Sequence, residues 1–180
     1  MSSGPNVPTL LFPALAAARR GARIHRLNWT APAELSRNTE RRGPWVASHV
    51  RPKVGALVTS PRPTLPLIIG ASFGARAAPI AADFGLPGVW IMPPLTEDDW
   101  VISALARSEA PFLLIGGGED PAWDLGIARS LTPHVLEIEG ADHALMHPGP
   151  IADSVATLGR VVARIERFLD ETVWPGAGRP

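Results

Sequence analysis

Four short apolar runs, each separated from the next by a stretch of helical character, restrict what this 180-residue chain can build. They are Leu65–Gly70, Gly88–Met92, Pro111–Gly116 and His134–Glu139. Each is rich in Ile, Leu or Val and ends near Gly or Pro, as strands buried on both faces do. Helical patterns cover Ala75–Phe84, Glu97–Arg107, Ala122–Leu131 and Ile151–Leu169. Strand and helix in alternation predict an α/β fold, a mostly parallel sheet with helices on both faces. Ahead of these, Leu10–Arg20 and Trp45–Val58 read as helices, the second kinked or broken at Pro52. Between them Ala22–Trp29 reads as an outer strand. The last helix is expected to bury a stripe of Ile151, Val155, Leu158, Val162, Ile165 and Leu169. Thr96 is expected to cap the helix that opens with Glu97, Asp98 and Asp99.

Composition narrows the function classes. The length suits one domain over residues 1–180 with a real core. Lys+Arg and Asp+Glu are both 17, so no charge excess draws the chain to nucleic acid or an anionic membrane. Cys is absent, which removes disulfides, thiolate metal sites and a cysteine nucleophile. No run reaches the roughly 20 apolar residues of a membrane span. Val7–Ala18 is apolar, but its basic residues, Arg19 and Arg20, follow it rather than precede it, the reverse of a secretory signal. An amphipathic helix and a cytoplasmic protein are the expectation.

The chemistry centres on Gly70-Ala71-Ser72-Phe73-Gly74, which matches G-x-S-x-G between a buried strand and a helix. A serine there sits on a tight turn with its hydroxyl above the sheet. The two glycines leave room for the backbone, and the Phe73 N–H faces developing negative charge as an oxyanion donor. Serine needs a base, and the base needs an acid to orient it. Asp120 follows the run Pro111–Gly116, and His143 follows His134–Glu139. Both lie beyond strand C-terminal ends, where open α/β sheets build sites. Asp124 falls inside the next helix, and His147 lies among prolines, so neither competes well. Asp142 and His147 flank His143 without a third ligand at suitable spacing, so no metal is expected. His25 and His49 read as surface or strand histidines. Trp90, Met92, Trp123 and Met146 fall near strand ends and are candidates to line an acyl pocket.

With these residues in place, the chain from about Trp45 to Leu169 resembles the small, nearly lidless α/β-hydrolases of bacteria. The matching segments are LPLIIGASFGARAAPIAADFGLPGVWIMPPL, APFLLIGGGEDPAWD and HVLEIEGADHAL. The resemblance implies an α/β-hydrolase sheet with Ser72, Asp120 and His143 as nucleophile, acid and base. It also implies a further opening strand, whose glycine loop would give a second oxyanion N–H. Only Gly4-Pro5-Asn6 stands where that loop belongs. The strand is then missing because the chain starts late, or Ala22–Trp29 closes the sheet directly, or Val7–Phe12 is extended.

The leading expectation is a serine hydrolase acting on an ester or thioester of a small molecule, without cofactor or metal. The short stretch Met92–Ser108 replaces a lid and implies an open cleft. One rival is a biosynthetic enzyme of the same fold that uses the His–Asp pair for cyclase or lyase chemistry. Another is a non-catalytic binding or assembly protein, for which an unpaired sheet edge would allow a homodimer.

Overall fold

The computed structural model describes residues 6–36, 38–61 and 64–176, and the backbone alone of Ser36. Four strands form one parallel sheet in the order β1 (Ile68–Ala71), β2 (Gly88–Ile91), β3 (Phe112–Gly117), β4 (Val135–Ile138). They are the four apolar runs of the sequence. Register pairs Ala71 with Ile91, Ile91 with Ile115, and Gly117 with Ile138, so the C-terminal ends line up along one rim.

The strands alternate side chains between two cores. Trp90, Phe112 and Leu114 face one, and Val89, Ile91, Leu113 and Ile115 the other. The helices α3 (Ala78–Asp83), α4 (Asp99–Ala106) and α5 (Leu125–Leu131) join successive strands and pack on the first face. When parallel strands advance one place at a time, crossovers of a single hand put every connecting helix on the same face. The helix α2 (Arg42–Val58) joins that layer through Val46, Val50 and Val54. The helices α1 (Pro8–Ala18) and α6 (Ile151–Phe168) cover the opposite face. The resulting α/β fold is α/β-hydrolase-like.

Several elements differ from their sequence expectation. Ala22–Trp29 is not a strand. An extended run becomes a strand only with a backbone partner, and this one passes from one face to the other. Ala22 packs against the α1–α6 core, while Leu27 and Trp29 pack against the α2–α5 core. Val7–Phe12 is not extended, because α1 begins at Pro8 with the fixed φ that suits a first turn. That helix is not cleanly amphipathic. It buries Pro13, Ala16 and Ala17 and leaves Phe12 and Leu15 exposed. Helix α2 runs through Pro52 unbroken. The buried line of α6 is Ser154, Thr157, Val161, Ile165 and Phe168, whereas Ile151 and Val155 are 66% and 64% exposed. The stripe expected from the sequence therefore meets the core only in the second half of the helix.

Thr96 does not cap α4. Its hydroxyl donates to the Pro121 carbonyl at 2.7 Å, and Asp98 takes the capping position without making the capping bond. The Asp98 carboxylate is held elsewhere, 2.8 Å from the buried guanidinium of Arg76. An unpaired cation in that core would be far more costly than an unmade cap.

Candidate active site

Ser72 is the first residue after β1 and opens a short 3-10 segment, Ser72–Ala77, which continues into α3. Its φ is +50°, the left-handed region that a non-glycine residue enters at a cost. The sharp turn this imposes lifts the hydroxyl out of the sheet. The glycines of the motif differ in role. A Cβ on Gly70 would lie 2.5 Å from the Gly74 carbonyl oxygen, while one on Gly74 would meet nothing within 4 Å. Close approach therefore demands glycine at the first position only, and the sequence expectation of crowding at both holds for Gly70 alone. The Phe73 N–H, at the second position of the segment, has no preceding helical carbonyl to bond. The Phe73 ring is set between Trp45 at 5.8 Å and the Arg76 guanidinium at 5.3 Å.

Two glycines at the end of β3 bring the other two site loops together. A Cβ on Gly116 would enter the Trp123 ring at 2.1 Å, and one on Gly117 would strike the Ala141 carbonyl oxygen at 2.3 Å. The loop bearing Asp120 and the loop bearing His143 thus lie backbone against backbone. The Glu119 N–H donates to the Ala141 carbonyl at 2.9 Å across the same junction. Asp120 is buried and accepts from the Ala122 N–H at 2.9 Å through Oδ1. Its Oδ2 lies 2.7 Å from His143 Nδ1. His143 Nε2 is in turn 2.7 Å from Ser72 Oγ.

The Asp120 end of this hydrogen-bonded chain is shielded and the His143 ring is open, with side-chain exposures of 1% and 48%. A carboxylate beside Nδ1 requires the proton on that nitrogen, which leaves Nε2 as the acceptor facing serine. Asp142 braces the His143 loop, since its Oδ1 accepts from the N–H groups of Ala144 and Met146 at 2.8 and 2.9 Å. Leu145, inside that loop, has φ +58°.

A cleft of about 390 Å³ opens over Ser72, Phe73 and His143. Of the four candidate pocket residues only Met92 lines it. Trp90 is 1% exposed in the helix-covered core. Trp123 is buried over Gly116 and donates through Nε1 to Glu137 at 2.8 Å. Met146 is on the surface, away from the cleft wall. Asp124 caps α5 by accepting from the Ile127 N–H at 2.7 Å. His147 is bound to Thr157 at 2.8 Å, and His49 lies exposed against Trp45. Gly4 and Pro5, considered for the second oxyanion loop, lie outside the described residues.

Sequence reasoning missed the far wall of the cleft. Ala31, Pro32, Ala33 and Leu35 form one side of it, and Arg42, Arg76 and Glu97 form a charged corner. Arg76 stands four residues after Ser72 in an otherwise apolar stretch, ASFGARAAPIAA, and that isolated charge was the available signal. Burial pushes the Arg76 guanidinium below its ordinary value. Asp98 opposes that shift, Arg42 adds to it, and Glu97 opposes it. Among the described residues no group of three or more His, Cys, Asp or Glu could hold a metal ion. None of the described helices is long and apolar enough to cross a membrane.

These features define a chain of α/β-hydrolase-like fold. No family model matches the sequence, and no curated protein matches it. Among solved structures, an alpha-beta serine hydrolase homologue from Coxiella burnetii superimposes with a TM-score of 0.63 at 14% identity. The match covers 90% of this chain and 78% of the other.

Proposed function

We propose that the protein is a serine hydrolase that cleaves a carboxylic ester or thioester of a small molecule. The observation that carries this reading is the continuous relay from Ser72 Oγ to His143 Nε2 and from His143 Nδ1 to Asp120 Oδ2, each step 2.7 Å, at the floor of an open cleft. In this mechanism Ser72 Oγ attacks the substrate carbonyl carbon as its proton passes to His143 Nε2. Asp120 fixes the imidazole tautomer and steadies the imidazolium. The Phe73 N–H binds the oxyanion that forms on the carbonyl oxygen. Collapse breaks the bond to the alcohol or thiol, which leaves with the proton from His143. A water then attacks the acyl-serine with His143 as base, releasing the acid and restoring the serine. The fold shared with a serine hydrolase homologue supports hydrolytic use of the site.

The test is a fluorophosphonate probe read by intact mass. One adduct is expected on the wild-type chain and none on Ser72→Ala. A folded protein that gains no adduct, or a Ser72→Ala variant that keeps full ester turnover, defeats the proposal.

A further inference from the structure

The corner of the cleft formed by Arg42, Arg76 and Glu97 is built unlike the rest of it. The remaining lining is mainly apolar, from Ala31, Pro32, Ala33, Leu35, Met92, Pro94 and Ala122. Into this wall two guanidiniums are set deeply. Their side chains are 5% exposed for Arg76 and 16% for Arg42, whereas Glu97 is 50% exposed. The cations are fixed by buried or backbone partners. Arg76 Nε lies 2.8 Å from Asp98, whose side chain is 3% exposed. Arg42 Nε donates to the Leu35 carbonyl at 2.9 Å, which ties it to the segment that walls the cleft.

Glu97 is held differently. A single oxygen, Oε2, is shared between Arg76 at 3.2 Å and Arg42 at 3.7 Å. Both separations exceed the roughly 2.7–2.9 Å of a well-formed charge-assisted hydrogen bond. Withdrawal of Glu97 removes one negative charge from beside the two guanidiniums. A half-exposed carboxylate in loose contact with two anchored guanidiniums is a counter-ion that a ligand carboxylate can replace, and planar forks suit that group.

We infer that Arg42 and Arg76 select esters that carry a free carboxylate remote from the scissile bond, with the substrate carboxylate taking the place of Glu97. This rests on the hydrolase reading above and adds its substrate class. Each charge-assisted contact supports a preference of about tenfold over an uncharged analogue of the same length.

A matched pair tests it: mono-(4-nitrophenyl) adipate against 4-nitrophenyl hexanoate. The wild-type ratio of kcat/KM is expected to favour the adipate by at least about tenfold, carried by KM and reduced by added salt. Arg42→Gln is expected to bring that ratio towards one, and Glu97→Gln to raise it. Equal turnover of the two esters by wild type, or a ratio unmoved by both variants, overturns the inference while leaving the hydrolase reading in place. Independent of turnover, Ser72→Ala protein is titrated with the monomethylamide of adipic acid and with N-methylhexanamide, followed by NMR. Tighter binding of the anion, weakened when Arg42→Gln is added, upholds the carboxylate preference of the cleft even if the hydrolase reading fails. Equal binding of the two amides overturns it.

Discussion

At Ser72 the chain holds a non-glycine residue at φ +50°, and the surroundings that enforce this are visible one residue at a time. Gly70 admits the Gly74 carbonyl, and no other side chain fits there. Gly70→Ala should therefore cost about 1–3 kcal/mol through backbone displacement and abolish probe labelling. Gly74→Ala should keep the fold, with thermal unfolding within a few degrees of wild type, because its Cβ enters open space. Thermal melts and fluorophosphonate labelling of the two variants check the pair. At this scale much was legible. Ser72, Asp120 and His143 could be picked out because strand ends and chain order constrain them, and the structure brings the three within hydrogen-bond distance. The pocket side chains could not. Trp90 and Trp123 lie close to strand ends in the sequence, but glycines at 88 and 116 draw the two rings inward. Trp90 shares a strand face with Gly88, but Trp123 folds back over Gly116 from the following loop, a contact that periodicity does not report.

The elements divide by whether their partner is local. Strands β1 to β4 were readable because a buried strand is apolar wherever it lies in the sheet. Ala22–Trp29 was not, since its conformation depends on a neighbour that the run itself does not specify. Helix α6 shows the same limit more finely, as its apolar stripe runs on past the end of the core. Ile165→Ala should destabilise the protein by about 2–5 kcal/mol. Val155→Ala, on the exposed first half, should change stability by about 0.5 kcal/mol or less. Denaturant midpoints distinguish the two. Between helices, Asp83 of α3 binds both Arg51 of α2 and Arg107 just beyond α4. The hydrogen bond from Arg51 holds its carboxyl below the ordinary value of 3.8, with Arg107 acting in the same direction. A depressed folded-state value means stability that is complete above 3.8 and is lost as pH falls through the lowered value. Asp83→Asn should thus be less stable than wild type by about 1 kcal/mol or less near neutrality. The gap should close in acid, as read from thermal melts across pH.

Over the whole molecule the sheet places Ser72, Asp120 and His143, the residues of the proposed mechanism, on one rim. Strands advancing one step at a time send α3, α4 and α5 to a single face, which leaves every strand-to-helix loop at the C-terminal edge. That architecture followed from the alternation of apolar runs and helical patterns. The enclosure of the rim did not. The expected determinant of openness was the short stretch after β2, whereas the wall across the cleft comes from residues 31–35, far earlier in the chain. Those residues carry no strong periodic signal, and their position depends on the route of an unpaired segment between two faces. The charged corner shares this character, because it joins residue 42 of α2, residue 76 of the 3-10 segment and residue 97 of the turn before α4.

Gly117 presses the loop that carries Asp120 against the loop that carries His143. A displacement of one loop must be passed to the other, so Asp120 and His143 behave as a single lever rather than as two independent parts. Damage to the two should then fail to accumulate. Gly117→Ala and Asp142→Ala should each slow ester turnover by disturbing the same junction. Their combination should fall short of the product of the separate losses, a coupling that a double-mutant cycle on kcat measures directly.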